Sequence, residues 1–181
     1  AYNNAMAYRF KTQIKDSIQV QSETVKMEIS GKITTTAAQT DNYTSWELPY
    51  TTHGWNYDIN ANQHMLTPAL FTLNAHPNIR ITIAEADLFD YPGMYLQKVG
   101  KKITGIWSCF PTSTEMGSWG NFVSVVNKRA SYIADTKGSR SFPWRTVLVT
   151  DQDKQLLDNS LIYQLATPSK IKNTDWIKPG K

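Results

Sequence analysis

Glu85 stands at a position where a carboxylate has to be accounted for. Ile79, Ile81 and Ile83 alternate along one face of a strand pattern, and the same alternation puts Glu85 and then Asp87 next in line. Arg80, Thr82 and Ala84 take the other face. An acid that continues a branched apolar stripe is costly unless something neutralises it. The pattern leaves three resolutions open: the strand emerges into solvent, an arginine pairs with the acid, or a metal ion binds it. Asp87 and Asp90 make this strand end rich in carboxylate. Calcium takes about six to eight oxygens, largely carboxylate and carbonyl. Neither EF-hand spacing nor an acidic repeat is present, so the cluster by itself specifies no site.

Other reactive side chains give weaker patterns. His53, His64 and His76 share no zinc-type spacing and read as turn or surface residues. Cys109 is the only cysteine, so no disulfide forms within the chain. Its apolar run, Ile103 to Phe110, marks it as a small buried hydrophobe. No glycine-rich phosphate loop and no nucleophile elbow occurs. Of the six tryptophans, Trp107 and Trp144 fall within strand patterns and read as core. Trp46 and Trp55, with Tyr57, lie in a long polar stretch, where an apolar ring face with a polar edge can stack on a pyranose. Asn42-Tyr43-Thr44 matches a glycosylation acceptor by form only.

The elements that must carry these residues are short strands. Ala7 to Ile14 alternates, as do Val25, Met27 and Ile29 before Gly31. Thr34 to Asn62 reads as a long irregular region, too long for a simple connection, that is functional or packs as a sub-structure. A hairpin follows, with arms Thr67 to Leu73 and Ile79 to Glu85 around Asn74 to Asn78. Met94 to Val99, Ile103 to Phe110, Phe122 to Val126 and Arg145 to Thr150 continue the pattern, with Pro92-Gly93 as a turn. Asp151 caps a helical turn over Gln152 to Asp158, and Leu161 to Leu165 returns as a strand. About nine short strands predict an all-β, antiparallel sandwich.

Composition agrees. The 181 residues are 40% hydrophobic and only 19% charged, against a usual ~25%. Thr, Asn, Ser and Gln fill the gap, which argues against coiled coils, helical bundles and charged disordered tails. A net charge of +4 from scattered lysines and arginines is no nucleic-acid footprint. No apolar run approaches the ~18 residues of a membrane span.

Five segments, in order, resemble the N-terminal domain of glycoside hydrolase family 97. The most specific is Ile83-Ala84-Glu85-Ala86-Asp87-Leu88-Phe89-Asp90-Tyr91-Pro92-Gly93-Met94. Upstream, Ala1 to Phe10 is similar to a family strand, with Asn4-Ala5 where the family often has Asp-Gly. Downstream come Ser141-Phe142-Pro143-Trp144-Arg145-Thr146, Leu156-Leu157-Asp158-Asn159-Ser160-Leu161 and the junction-like Asp175-Trp176-Ile177-Lys178-Pro179-Gly180-Lys181.

The resemblance implies a galactose-mutarotase-like β-super-sandwich, here incomplete at its N-terminus. Residues 1–166 would be the C-terminal part of that domain, and 167–181 a linker to an absent (β/α)8 catalytic barrel. It implies a bacterial, periplasmic parent that releases terminal α-linked glucose or galactose from oligosaccharides. It also implies that Glu85 is lent to an active-site calcium, and that no catalytic residue lies in this chain, which alone would be inactive. Two alternatives stay open. One is a free carbohydrate-binding module using Trp46, Trp55 and Tyr57, and the other is a structural or adhesin-like sandwich.

Overall fold

The computed structural model describes residues 4–43, 47–54, 63–118, 124–178 and 180. The chain opens with β1 (Ala5–Tyr8), β2 (Lys11–Gln13), β3 (Ile18–Val20) and β4 (Lys26–Glu28). β5 (Ile33–Thr40), β6 (Tyr50–Gly54), β7 (His64–Leu66), β8 (Ala69–Leu73) and β9 (His76–Ala86) follow. Next come β10 (Met94–Val99), β11 (Lys102–Trp107), β12 (Pro111–Met116) and β13 (Ser124–Arg129). Last are β14 (Ala134–Thr136), β15 (Ser139–Ser141), β16 (Trp144–Thr150), α1 (Lys154–Leu157) and α2 (Leu161–Leu165).

One sheet dominates, in the order β1-β16-β9-β8-β5-β7-β10-β11-β4, with β6 also paired to β5. Its pairings are antiparallel. β5 makes the sheet curl. Ile33 to Thr36 pair with β8, whereas Gln39 and Thr40 pair with β7. One strand therefore serves two half-sheets. Ile33, Ala69, Phe71 and Ile83 of one half share a core cluster with Met94, Leu96, Ile103 and Trp107 of the other. Burying each large side chain contributes on the order of 1.5–3 kcal/mol. Gly105 is required on β11, because a Cβ there would lie 2.8 Å from the Trp107 ring and 3.0 Å from Val25. The antiparallel sandwich expected from the strand pattern is the fold observed.

Several local readings are corrected. Thr34 to Asn62 is not irregular throughout: it holds all but the first residue of β5 and the whole of β6. β5 is buried at Ile33, Thr35, Ala37, Ala38 and Thr40, so no clean alternation marks it, and small β-compatible residues suit its central place. Ala7 to Ile14 is split, since β1 pairs with β16 and β2 with β15. The turn between β8 and β9 shrinks to Asn74-Ala75, because β9 begins at His76. Leu161 to Leu165 is helical. The Asn159 side chain accepts the Leu161 N–H at 2.9 Å, the Ser160 hydroxyl accepts from Gln164 at 2.7 Å, and only Leu161 is buried. Local side-chain bonding thus overrides strand-like composition. α1 starts at Lys154 behind Asp153 rather than from an Asp151 cap. Cys109 is half-exposed, just past β11, and not core.

Candidate functional site

The register of β9 against β16 places Arg145 directly opposite Glu85, as Val147 is opposite Ile83. The arginine therefore meets the acid that ends the isoleucine stripe. Its Nη1 donates to Glu85 Oε2 at 2.6 Å. Its Nε and Nη2 form a fork onto Glu23, at 2.8 and 2.7 Å. Glu23 comes from the segment between β3 and β4, and the Tyr91 hydroxyl donates to it at 3.2 Å. The Trp107 ring lies 5.2 Å from the guanidinium carbon, within cation–π range. The Met94 N–H donates to Glu85 Oε1 at 2.9 Å and reaches Oε2 at 3.2 Å.

Burial is deep. Arg145 is 1% exposed, and the Glu23 and Glu85 side chains are 6% and 10% exposed. Of the three resolutions the pattern left open, the strand does not carry Glu85 into solvent, and an arginine pairs with it. The pairing is not complete in charge. Two carboxylates share one guanidinium, so the cluster keeps one negative charge over. Burial raises the Glu85 pKa above its ordinary value; Arg145 and the Met94 N–H pull it down, and Glu23 adds to the rise. Burial works against the Arg145 charge, but the Glu23 bonds and both acids outweigh it and hold its pKa high. Burial and Glu23 push the Tyr91 phenol far up, so it stays a donor.

The turn after β9 is held from outside. Asp87 and Asp90 both have positive φ, 59° and 49°, a region that Asp tolerates better than most residues. Asp87 accepts from Arg9 at 3.0 Å and from the Thr167 N–H at 2.7 Å. Those bonds and the Arg9 charge outweigh desolvation and lower its pKa. Arg9 also covers the ring of Trp144, which is half-buried rather than core. Arg140 donates to the carbonyls of Phe89 and Asp90, at 2.9 and 3.1 Å. The turn brings Gly93 back beside Glu85, where a Cβ would sit 3.3 Å from Oε1.

Glu85 lines two cavities. One, of about 540 Å³, is walled by Ala84, Thr146, Leu148 and Leu161. The other, of about 550 Å³, is walled by Tyr43, Tyr91, Met94, Tyr95 and Arg129. In the second, Tyr43 meets Tyr95 edge-on and stacks on His64 at 5.1 Å. Burial lowers the His64 pKa. Trp46, Trp55 and Tyr57 lie outside the described residues. Pattern reading missed Glu23, Tyr91 and the role of Arg145. Glu23 sits in the unpatterned Ser22-Glu23-Thr24, and only the strand register reveals the Arg145 contact.

A family model described as Glycosyl-hydrolase 97 N-terminal matches residues 1–168. The chain belongs to this family. The whole chain is 30% identical to a retaining alpha-galactosidase of Bacteroides thetaiotaomicron and spans 29% of it. In structure it is similar to a glycoside hydrolase family 97 enzyme of Pseudoalteromonas sp. strain K8 in complex with acarbose. The TM-score is 0.75 at 19% identity, over 99% of this chain and 24% of that one. A variant of the same enzyme in complex with panose matches equally well. The chain thus covers less than a third of these relatives, as an N-terminal domain of this family of glycoside hydrolases.

That setting limits what the cluster can do. Hydrolysis of a glycosidic bond uses two carboxylates flanking the bond, about 5–9.5 Å apart. In this family 97 domain Glu23 and Glu85 instead converge on one guanidinium. Among the described residues no group of three His, Cys, Asp or Glu side chains is placed to hold a metal.

Proposed function

We propose that this domain is the accessory wall of a glycoside hydrolase that releases terminal α-linked glucose or galactose, and that Glu85 completes a calcium site shared with a (β/α)8 barrel downstream. The observation that carries this reading is a buried carboxylate that shares its one arginine with a second acid and borders a cavity. A buried charge of this kind calls for a counter-ion.

The donor set fits one calcium ligand and no more. Oε2 is taken by Arg145, while Oε1 accepts a single short bond, from Met94, and retains a lone pair. Gly93 leaves the space beside Oε1 free of a side chain. When bound, calcium supplies the positive charge that holds sugar hydroxyls and neighbouring carboxylates in place. Within this chain, Glu85 offers an oxygen and the Glu23–Arg145 pair keeps it turned. The catalytic carboxylates belong to the barrel, and residues 167–181 lead to it. The names of the relatives support the substrate class: one is a galactosidase and another binds acarbose and panose. Trp46, Trp55 and Tyr57 supply sugar contacts, and the parent works in a bacterial periplasm, the location that the family resemblance implies.

Calcium titration of the complete protein that carries this chain tests the reading. Glu85→Gln should weaken calcium binding at least tenfold, and an unchanged affinity overturns it. The 181-residue chain alone should not turn over nitrophenyl α-glucoside or α-galactoside.

A further inference from the structure

We infer that Arg145 and Glu23 are positioning residues that fix which oxygen of Glu85 faces a cation; the inference rests on the calcium reading above. Arg145 is opposed in register to Glu85, is 1% exposed, and directs three side-chain hydrogen bonds onto two carboxylates. Glu23 holds the guanidinium from the far side with two bonds of 2.7–2.8 Å, so the plane of the fork is fixed before Glu85 is engaged. Trp107 covers the guanidinium, and Tyr91 fixes Glu23 in turn. The single 2.6 Å bond from Nη1 then commits Oε2 and leaves Oε1 toward Gly93. Residues in a hydrogen-bonded chain behind a metal ligand commonly govern affinity through orientation.

Orientation and simple electrostatics make opposite forecasts. A cation 2.6 Å from a carboxylate repels calcium, so an Arg145 that acts only through charge should leave binding unchanged when its charge is kept. A positioning Arg145 should weaken it even so. Two charge-conserving variants of the complete protein separate the two, read by calcium titration after chelator stripping, with the melting temperature of the calcium-free form as the fold control. Arg145→Lys keeps the charge and loses the fork, and should weaken calcium about tenfold. Glu23→Asp withdraws the clamp by one methylene and should weaken it severalfold, which keeps the test alive if Arg145→Lys does not fold. Affinity within twofold of the parent in a folded variant overturns the positioning role. Glu85→Gln in the same series tells the two ideas apart. If it too leaves calcium binding unchanged, the calcium reading has failed; if it alone weakens binding, only the positioning role has.

Discussion

Glu85 and Asp87 lie two residues apart at the end of one strand, yet the fold treats them oppositely. Asp87 is matched by its own arginine, Arg9, and by the Thr167 N–H, and its pKa is lowered. It ties the turn after β9 to the segment leaving α2. Glu85 shares its arginine with Glu23, and its pKa is raised. The first acid is closed off by this chain. The second is left with charge to spare. Their side chains are equally little exposed, at 9% and 10%, but Glu85 lies deeper, and burial is the first cause of its raised pKa. Depth and the ratio of counter-charges to acids together set the two apart.

The comparison can be broken at several points, in order of effect. Arg145→Met should cost about 3–5 kcal/mol in urea unfolding of the 181-residue chain, because it strands two buried acids. Asp87→Ala should cost about 1–3 kcal/mol and speed hydrogen exchange at the Thr167 amide, since it removes both bonds and leaves Ala at positive φ. Glu85→Gln should cost less than about 1 kcal/mol near pH 7, because Glu23 still pairs Arg145 and the amide relieves the excess charge. A penalty above that of Asp87→Ala would make Glu85 a structural acid and erase the distinction.

Titration sharpens the same contrast. The folded state holds the Glu85 proton more tightly than the unfolded chain, so ionisation costs stability as pH rises above the ordinary 4.5. The cost of Glu85→Gln should therefore shrink upward through that window. Asp87 has the opposite sign: its contribution is present above the ordinary 3.8 and is lost as pH falls through the lowered folded value. The deficit of Asp87→Asn should therefore shrink in acid. The smallest expected effect is at His64, whose lowered pKa supports stability above 6.5 that is lost as pH falls toward the folded value. His64→Gln should flatten the melting-temperature profile just below pH 6.5.

The isoleucine stripe of β9 was legible because its residue types alternate, although only Ile83 and Ala86 of the strand are buried, and that alternation led straight to Glu85. β5 was not legible. Burial alternates from Ile33 to Ala37 and then breaks at Ala38, but the Thr34-Thr35-Thr36-Ala37-Ala38 run carries no apolar period in its residue types. α2 was misread because apolar composition alone does not distinguish a strand from a short helix whose first N–H is taken by the Asn159 side chain. The partners of Glu85 were hidden for another reason. Glu23 and Arg145 are 122 residues apart in the chain, and only sheet register and the packing of the β3–β4 segment bring them together. Family likeness supplied the identity of the domain, whereas the local pattern supplied the question.

A crystal structure of the complete protein grown with calcium tests the central claim most directly. The account predicts a cation about 2.3–2.6 Å from Glu85 Oε1, with Arg145 still bonded to Oε2. A well-ordered Glu85 held only by Arg145 and Met94, with the calcium ligated entirely by other residues, would contradict it.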